Sequence, residues 1–213
     1  MKSRVEHGEV NEAFAVTKIY WENEKKVTLE QMDWIFSNFE KIYNLWHPGC
    51  HIDFSWIKPE TEHPVNSVHW ASELYGPKGE EQFMAVAIRW LPLEEVPPFV
   101  TQYIEHTHGG VFAAIPCAKP EDYQQPPAYP IYVVHTYSAT PDGSTEGIDF
   151  CVYLKETQFG YAWAPHGTEE ASTVENFVPQ LYELYSVVDN PVVNRKYNLE
   201  FATDGGKLSY RHL

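Results

Sequence analysis

The sequence predicts an α+β fold in which an antiparallel sheet curves around a long helix and encloses a cavity. Three observations carry this. The order of segments is strand, long helix, several strands, long helix, hairpin, and runs of strands flanked by helices point to α+β. The hydrophobic period is helical over 28–46, switches to two after residue 51, and returns to helical after residue 165. The 213 residues, 43% hydrophobic and 15% aromatic, suffice for one well-buried core. Residues 1–213 read as a single domain, with the core over about 12–188 and a C-terminal hairpin over 190–213.

Residues 1–11 are polar and read as a frayed start. Ala13–Trp21 is β-prone and ends at the charged break ENEKK. Thr28 opens a helix: Thr28 and Gln31 have capping-box spacing, and Val27 can staple onto Met32. Met32, Ile35, Phe36, Phe39, Ile42, Tyr43 and Trp46 form one stripe, which Pro48 and Gly49 end. Ile52, Phe54 and Trp56 then alternate, and Val65–Tyr75 and Gln82–Leu91 read as two further strands around the turn GPKGEE. The Pro-rich stretch 92–130 is expected to wrap the domain edge, with a short helix near Phe99–Glu105. Ile131–Tyr137 and Ile148–Leu154 are strands, and Gln158–Trp163 is a candidate for another. Pro165 suits the first position of a second long helix, continued by Val174, Phe177, Val178, Leu181, Tyr185 and Val188, with a kink expected at Pro179. The tail ending in ATDGGKLSYRHL reads as a hairpin with a Gly-rich turn.

Composition excludes several function classes. Fifteen Lys and Arg against thirty Asp and Glu give a net charge of -15. Such a surface repels phosphate backbones and anionic lipid, so no nucleic-acid or membrane partner is expected. No apolar run approaches the roughly 20 residues of a bilayer helix, and no secretory leader is read at the start. Cys50, Cys117 and Cys151 give neither a disulfide framework nor a metal knuckle. A reduced, cytoplasmic protein is the expectation. There is no GxSxG elbow, no phosphate-binding glycine loop and no HExxH.

Eight of the ten histidines fall between positions 47 and 166, which prompts a search for metal ligands. A single histidine is more often a surface or satisfied core residue, so pairs matter more. His166 and Glu170 lie at i and i+4, on one face of a helix, where both can grip one ion. A second half-site can come from LWHPGCH, with His47 or His51 at a helix-to-strand junction; either could instead close the helix end. On the next strand His69, Ala71, Glu73 and Tyr75 share a face. A carboxylate there needs a metal or an Arg if that face is buried. His106 and His108 form an HxH pair with no accompanying cupin carboxylate, which leaves them a secondary or substrate-side role.

Three of these segments together carry a resemblance: LWHPGCH after an amphipathic helix, the strand glutamate Glu73, and HGTEEASTVENFVPQLY. Over about residues 28–185 the chain resembles the 2,4-diacetylphloroglucinol hydrolase family, which includes phloretin hydrolase. The resemblance implies a helix-grip (Bet v 1-like, START-like) fold and a zinc site of His51, Glu73, His166 and Glu170. Glu80 or Glu81 is the alternative to Glu73, and Mn2+ or Fe2+ could replace Zn2+. It also implies hydrolysis of the carbon–carbon bond between an acyl group and a phenolic ring, and a homodimer. Tyr43, eight residues before His51, is implied as a contact to the substrate's phenol hydroxyl. His135 and Tyr137, on one strand face, are candidates for proton transfer or ring binding. A non-catalytic cavity for a hydrophobic or aromatic small molecule is the alternative.

Overall fold

The computed structural model describes residues 1–60, 64–124, 130–187, 199–204 and 207–212. Strands β1 (Lys2–Glu9) and β2 (Phe14–Glu22) precede two short helices, α1 (Leu29–Ser37) and α2 (Phe39–Trp46). Strands β3 (His51–Lys58), β4 (Val68–Tyr75) and β5 (Gln82–Trp90) follow. A short helix α3 (Pro98–Thr101) leads to β6 (His108–Pro116), β7 (Ile131–Ala139) and β8 (Thr145–Leu154). The long helix α4 (Phe159–Val187) and a hairpin of β9 (Leu199–Asp204) and β10 (Lys207–His212) complete the chain.

The sheet runs β1-β2-β8-β7-β6-β5-β4-β3, antiparallel throughout, and β9 joins β10 and one end of β6. Helix α4 packs on β2, β8 and β4 and against α1 and α2. A strand, two short consecutive helices, six meandering strands and a long closing helix form the helix-grip arrangement of Bet v 1-like and START-like proteins. β1 and the terminal hairpin are additions to it. Among the described residues, no helix is long and apolar enough to cross a membrane.

The capping box forms as expected: the Gln31 amide donates to Thr28 Oγ1 and the Thr28 amide to Gln31 Oε1. Val27 and Met32 are both buried in the main core. The single helix expected over 28–46 is instead two, broken at Asn38. Asn38 is fully buried, and its Nδ2 donates to the Trp34 carbonyl at 2.9 Å. A side chain that bonds its own backbone competes with helix continuation. The break tilts α2 so that Tyr43 and Trp46 still face the core.

Five further expectations need correction. Residues 2–9 are not frayed but pair with β2 along their length. Every β1 residue is exposed, so no alternation marked it; Arg4 lying 3.7 Å over the Tyr20 ring helps anchor it. The stretch 92–130 does not merely wrap the edge, because it contains β6, a mid-sheet strand. β6 is buried on both faces, which erases alternation, and its Gly109–Gly110 pair reads as a breaker. Both glycines are required by packing. Gly109 has φ +145°, and a Cβ there would fall 1.9 Å from the His135 carbonyl; one on Gly110 would fall 2.6 Å from the Trp90 ring. The expected short helix shrinks to Pro98–Thr101.

Gln158–Trp163 is not a strand; α4 begins at Phe159, and Pro165 is an interior residue. Phe159 and Trp163 bury one helix face at i and i+4, against Tyr153 and Ile19, while Tyr161 is exposed. Three aromatics at spacing two mimicked a strand. The helix runs on through Pro179. The β9–β10 pairing is as expected; its turn at 205–206 and residues 188–198 lie outside the described residues.

Candidate metal centre

The site forms where α2, β3, β4 and α4 meet. Pro48 and Gly49, the latter at φ +92°, turn the chain sharply after His47. Amides of Cys50 and His51 both donate back to the His47 carbonyl. A β-bulge between His51 and Asp53 then shifts the phase of β3. His51 points inward and is buried, whereas Ile52, expected on the apolar face, is exposed. His51 sits directly opposite Glu73 in the β3–β4 register. The face of His69, Ala71, Glu73 and Tyr75 is buried throughout. From α4, which covers both positions despite its earlier start, His166 brings its ligand atom within 4.8 Å of those of His51 and Glu73, and Glu170 approaches His51.

The distances fit a shared ion. Glu73 Oε1 lies 4.0 Å from His51 Nε2, and Glu73 Oε2 lies 3.6 Å from His166 Nε2. Glu170 Oε1 lies 3.6 Å from His51 Nε2. Ligand atoms about 2.1 Å from a tetrahedral centre stand about 3.4 Å apart. The outer contacts fit equally well. His51 Nδ1 donates to the Tyr43 carbonyl at 2.9 Å and His166 Nδ1 to the Leu74 carbonyl at 2.8 Å. A carbonyl can only accept, so both Nε2 lone pairs face the carboxylates, the tautomer and orientation that metal-binding imidazoles use. Two imidazoles and two carboxylates are a donor set for zinc, and for Mn2+ or Fe2+ as well.

The electrostatics favour a cation. Burial pushes the Glu170 carboxyl up to about 7, with His135 and His166 opposing. Burial holds the His51 imidazole well below its usual range, reinforced by His166. The Tyr43 and Tyr75 hydroxyls each donate to one oxygen of Glu73. Burial, then the Glu73 charge, drives both phenols well above 10.

The centre borders a cavity of about 60 Å3 whose wall includes Tyr43, Glu73, Tyr75, His166 and Glu170. A chamber of about 30 Å3 adjoins it and shares Phe39, His135 and Glu170. Together they have room for a few waters.

Tyr43 lines the larger chamber and stacks on His51 with ring centroids 4.1 Å apart. His135 borders both chambers, and its Nδ1 lies 3.1 Å from Asp149. Burial lowers its pKa, but Asp149, with Glu170 and Glu73, outweighs burial and the net shift is upward. Tyr137 is fully buried and donates to Asp33 at 2.9 Å, tying β7 to α1; it borders only the smaller chamber. Glu80 and Glu81 lie in the β4–β5 turn and do not line the cavity. His108 stacks on Tyr137, and His106 Nδ1 contacts Ser138; neither borders the two chambers.

Sequence reasoning passed over Tyr75, Asp149 and the burial of His47. Tyr75 carried a signal, being two residues from Glu73 on the same strand face. Asp149 carried a weaker one, a lone acid in the apolar strand IDFCVYL. Its role appears only through the β7–β8 register, which sets it opposite His135.

No protein-family model matches the sequence, and no curated protein matches it. Among solved structures, protein Ms6760 from Mycobacterium smegmatis superposes with a TM-score of 0.50 at 13% identity, covering 84% of this chain and 96% of that one. Human STARD10 gives 0.48 at 12% identity, over 90% of this chain and 80% of its own. Ara h 8.0201 gives 0.43 at 9% identity, over 78% and 99%. At such identities the likeness to Ms6760 is one of fold.

Proposed function

We propose that the helix-grip cavity takes a small phenolic molecule against a divalent ion, Zn2+ first, held by His51, Glu73, His166 and Glu170. We further propose that the chain hydrolyses the carbon–carbon bond between an acyl group and the ring. The observation that supports this reading best is the pair of buried histidines. Each is fixed by a backbone carbonyl at Nδ1; at Nε2 His51 faces Glu73 and Glu170, and His166 faces Glu73. When bound, the ion supplies Lewis-acid polarisation and lowers the pKa of a water molecule.

The chain's own groups fit the proton movements of such a cleavage. Water adds through oxygen to the acyl carbon, and the carbon–carbon electron pair leaves on the ring carbon. That ring carbon needs a proton. His135, at the cavity wall and beside Asp149, whose charge favours its protonated form, is placed to give it. Glu170, on the cavity wall, would accept the water's proton when it is not itself bound to the ion. The products are a carboxylic acid and the deacylated phenol. Tyr43 orients Glu73 and, from the cavity wall, is the contact for the substrate's phenol hydroxyl. The chambers are smaller than the few hundred Å3 usual for ligands, so accommodating the ring requires them to merge, with Phe39, which lines both, swinging aside.

A second reading, a binding cavity without catalysis, is favoured by one observation. Both Glu73 oxygens already accept tyrosine hydroxyls, so the carboxylate is satisfied without an ion. The test uses metal-stripped and zinc-loaded protein with acylated phloroglucinols, following release of acid and free phenol. Zinc-dependent release supports hydrolysis. Binding of the acylphenol that is indifferent to chelator, with no release, establishes the second reading.

A further inference from the structure

His47 is the feature the site above does not use. It is fully buried, and neither ring nitrogen has a hydrogen-bond partner among the described residues. A buried imidazole with both nitrogens unsatisfied is costly and calls for an explanation. Its ring stands 4.7 Å from that of His166 and 4.8 Å from that of His51, centroid to centroid. Ligand atoms of His47, Cys50 and His166 all lie within 4.8 Å of one another. The HPGC turn makes this possible, because the Cys50 amide donates to the His47 carbonyl and brings residues three apart to one side. Cys50 is partly exposed, which gives an ion a way in.

We infer that His47, Cys50 and His166 form a second metal position, rich in soft ligands, that excludes the first because both need His166. The exclusion follows from one bond. His166 Nδ1 is committed to the Leu74 carbonyl, so a single lone pair, on Nε2, serves either position. Ligand softness then decides occupancy. A thiolate and two imidazoles favour Cd2+ and other thiophilic ions, whereas His51, Glu73 and Glu170 favour harder ones such as Mn2+. The soft position has no prior partners to displace at His47, while the hard one must draw Glu73 from two tyrosines. Binding there replaces the Cys50 S–H proton with the ion, and three protein ligands leave a place for water. This position does not depend on the chain being a hydrolase.

The test is Cd2+ titration of the metal-stripped, reduced full chain, followed in the ultraviolet for thiolate-to-cadmium charge transfer and by bound-metal analysis. The expected result is one Cd2+ per chain with a charge-transfer band. That band is lost in Cys50→Ser and kept in Glu73→Gln, and Mn2+ binding is unchanged in Cys50→Ser. One bound Cd2+ without the band overturns the inference but leaves the His51–Glu73–Glu170 position standing. A band that survives in Cys50→Ser comes from Cys117 or Cys151 and also overturns it. Two ions bound at once refute the exclusion. No binding of Cd2+ or Mn2+ removes both positions.

Discussion

Replacing Phe36 by alanine removes the ring on which α1 rests. Phe36 is 6% exposed and meets Phe39, Trp90, Phe112, His135 and Tyr137, with centroids between 5.6 and 6.5 Å. Phe-to-Ala truncations in cores cost about 3–5 kcal/mol. The stacked contact on Tyr137 and the T-shaped one on Trp90 place Phe36 near the middle of that range or above, since aromatic pairs add about 0.5–1.5 kcal/mol each. A loss of about 4 kcal/mol lowers the Tm of a chain this long by about 8–16 °C. Phe36 also borders the smaller chamber, so the variant gains a hole beside His135. A phenol at about 100 times its Kd should restore about 2.7 kcal/mol. The assay is thermal unfolding of both proteins with and without phenol. A loss below about 1 kcal/mol would refute the packing of α1 on the sheet. A full loss with no recovery by phenol would refute the continuity of the hole with the cavity.

Further expectations concern the site. Zinc at about 100 times its Kd should raise the wild-type Tm by about 5–11 °C, and the shift should vanish in His166→Ala. In the metal-free protein, stability should fall as pH drops from 6.5 towards 4.5. His47 and His69 stay neutral in the fold down to about 2 and about 4, and His51 is lowered too, so at these three buried rings the unfolded chain binds three protons that the fold refuses, and the lowered His106 adds to the same trend. Glu170, protonated in the fold below about 7, returns one. The net two protons give a slope of about 2.7 kcal/mol per pH unit, checked by urea unfolding across that window; a flat profile contradicts the burial of these groups. Glu170→Gln removes the opposing proton and should steepen the slope. Asp149→Asn should lower the His135 pKa, read by NMR titration of the ring protons, and an unchanged value would dismiss the ion pair.

The fold was legible where side chains alternate between water and core. The 28–46 stripe and β2 carried such a signature, whereas β8, buried on both faces, was read from its unbroken apolar run IDFCVYL. It failed where burial is symmetric, as in β6, or absent, as in β1. It also failed where an aromatic run at spacing two, Phe159 to Trp163, fits both periods. The positions of His166 and Glu170 relative to each other survived that error, because i and i+4 stay on one face wherever the helix begins. The bulge after His51 was invisible, and it decides that His51 rather than Ile52 faces inward. His47 could be named as a ligand-type residue, but its unsatisfied burial emerges only once α2, β3 and α4 are assembled. Asp149 was hidden for the same reason, since strand register is a property of the sheet and not of either strand alone.

The central claim is that buried histidines and carboxylates around His166 hold an ion. Metal content of purified wild type and His166→Ala, each after zinc loading and removal of unbound metal, tests it most directly. About one zinc per wild-type chain and none in the variant is the expected result. A wild-type chain that retains no stoichiometric metal would contradict the account and leave an aromatic-walled binding cavity in its place.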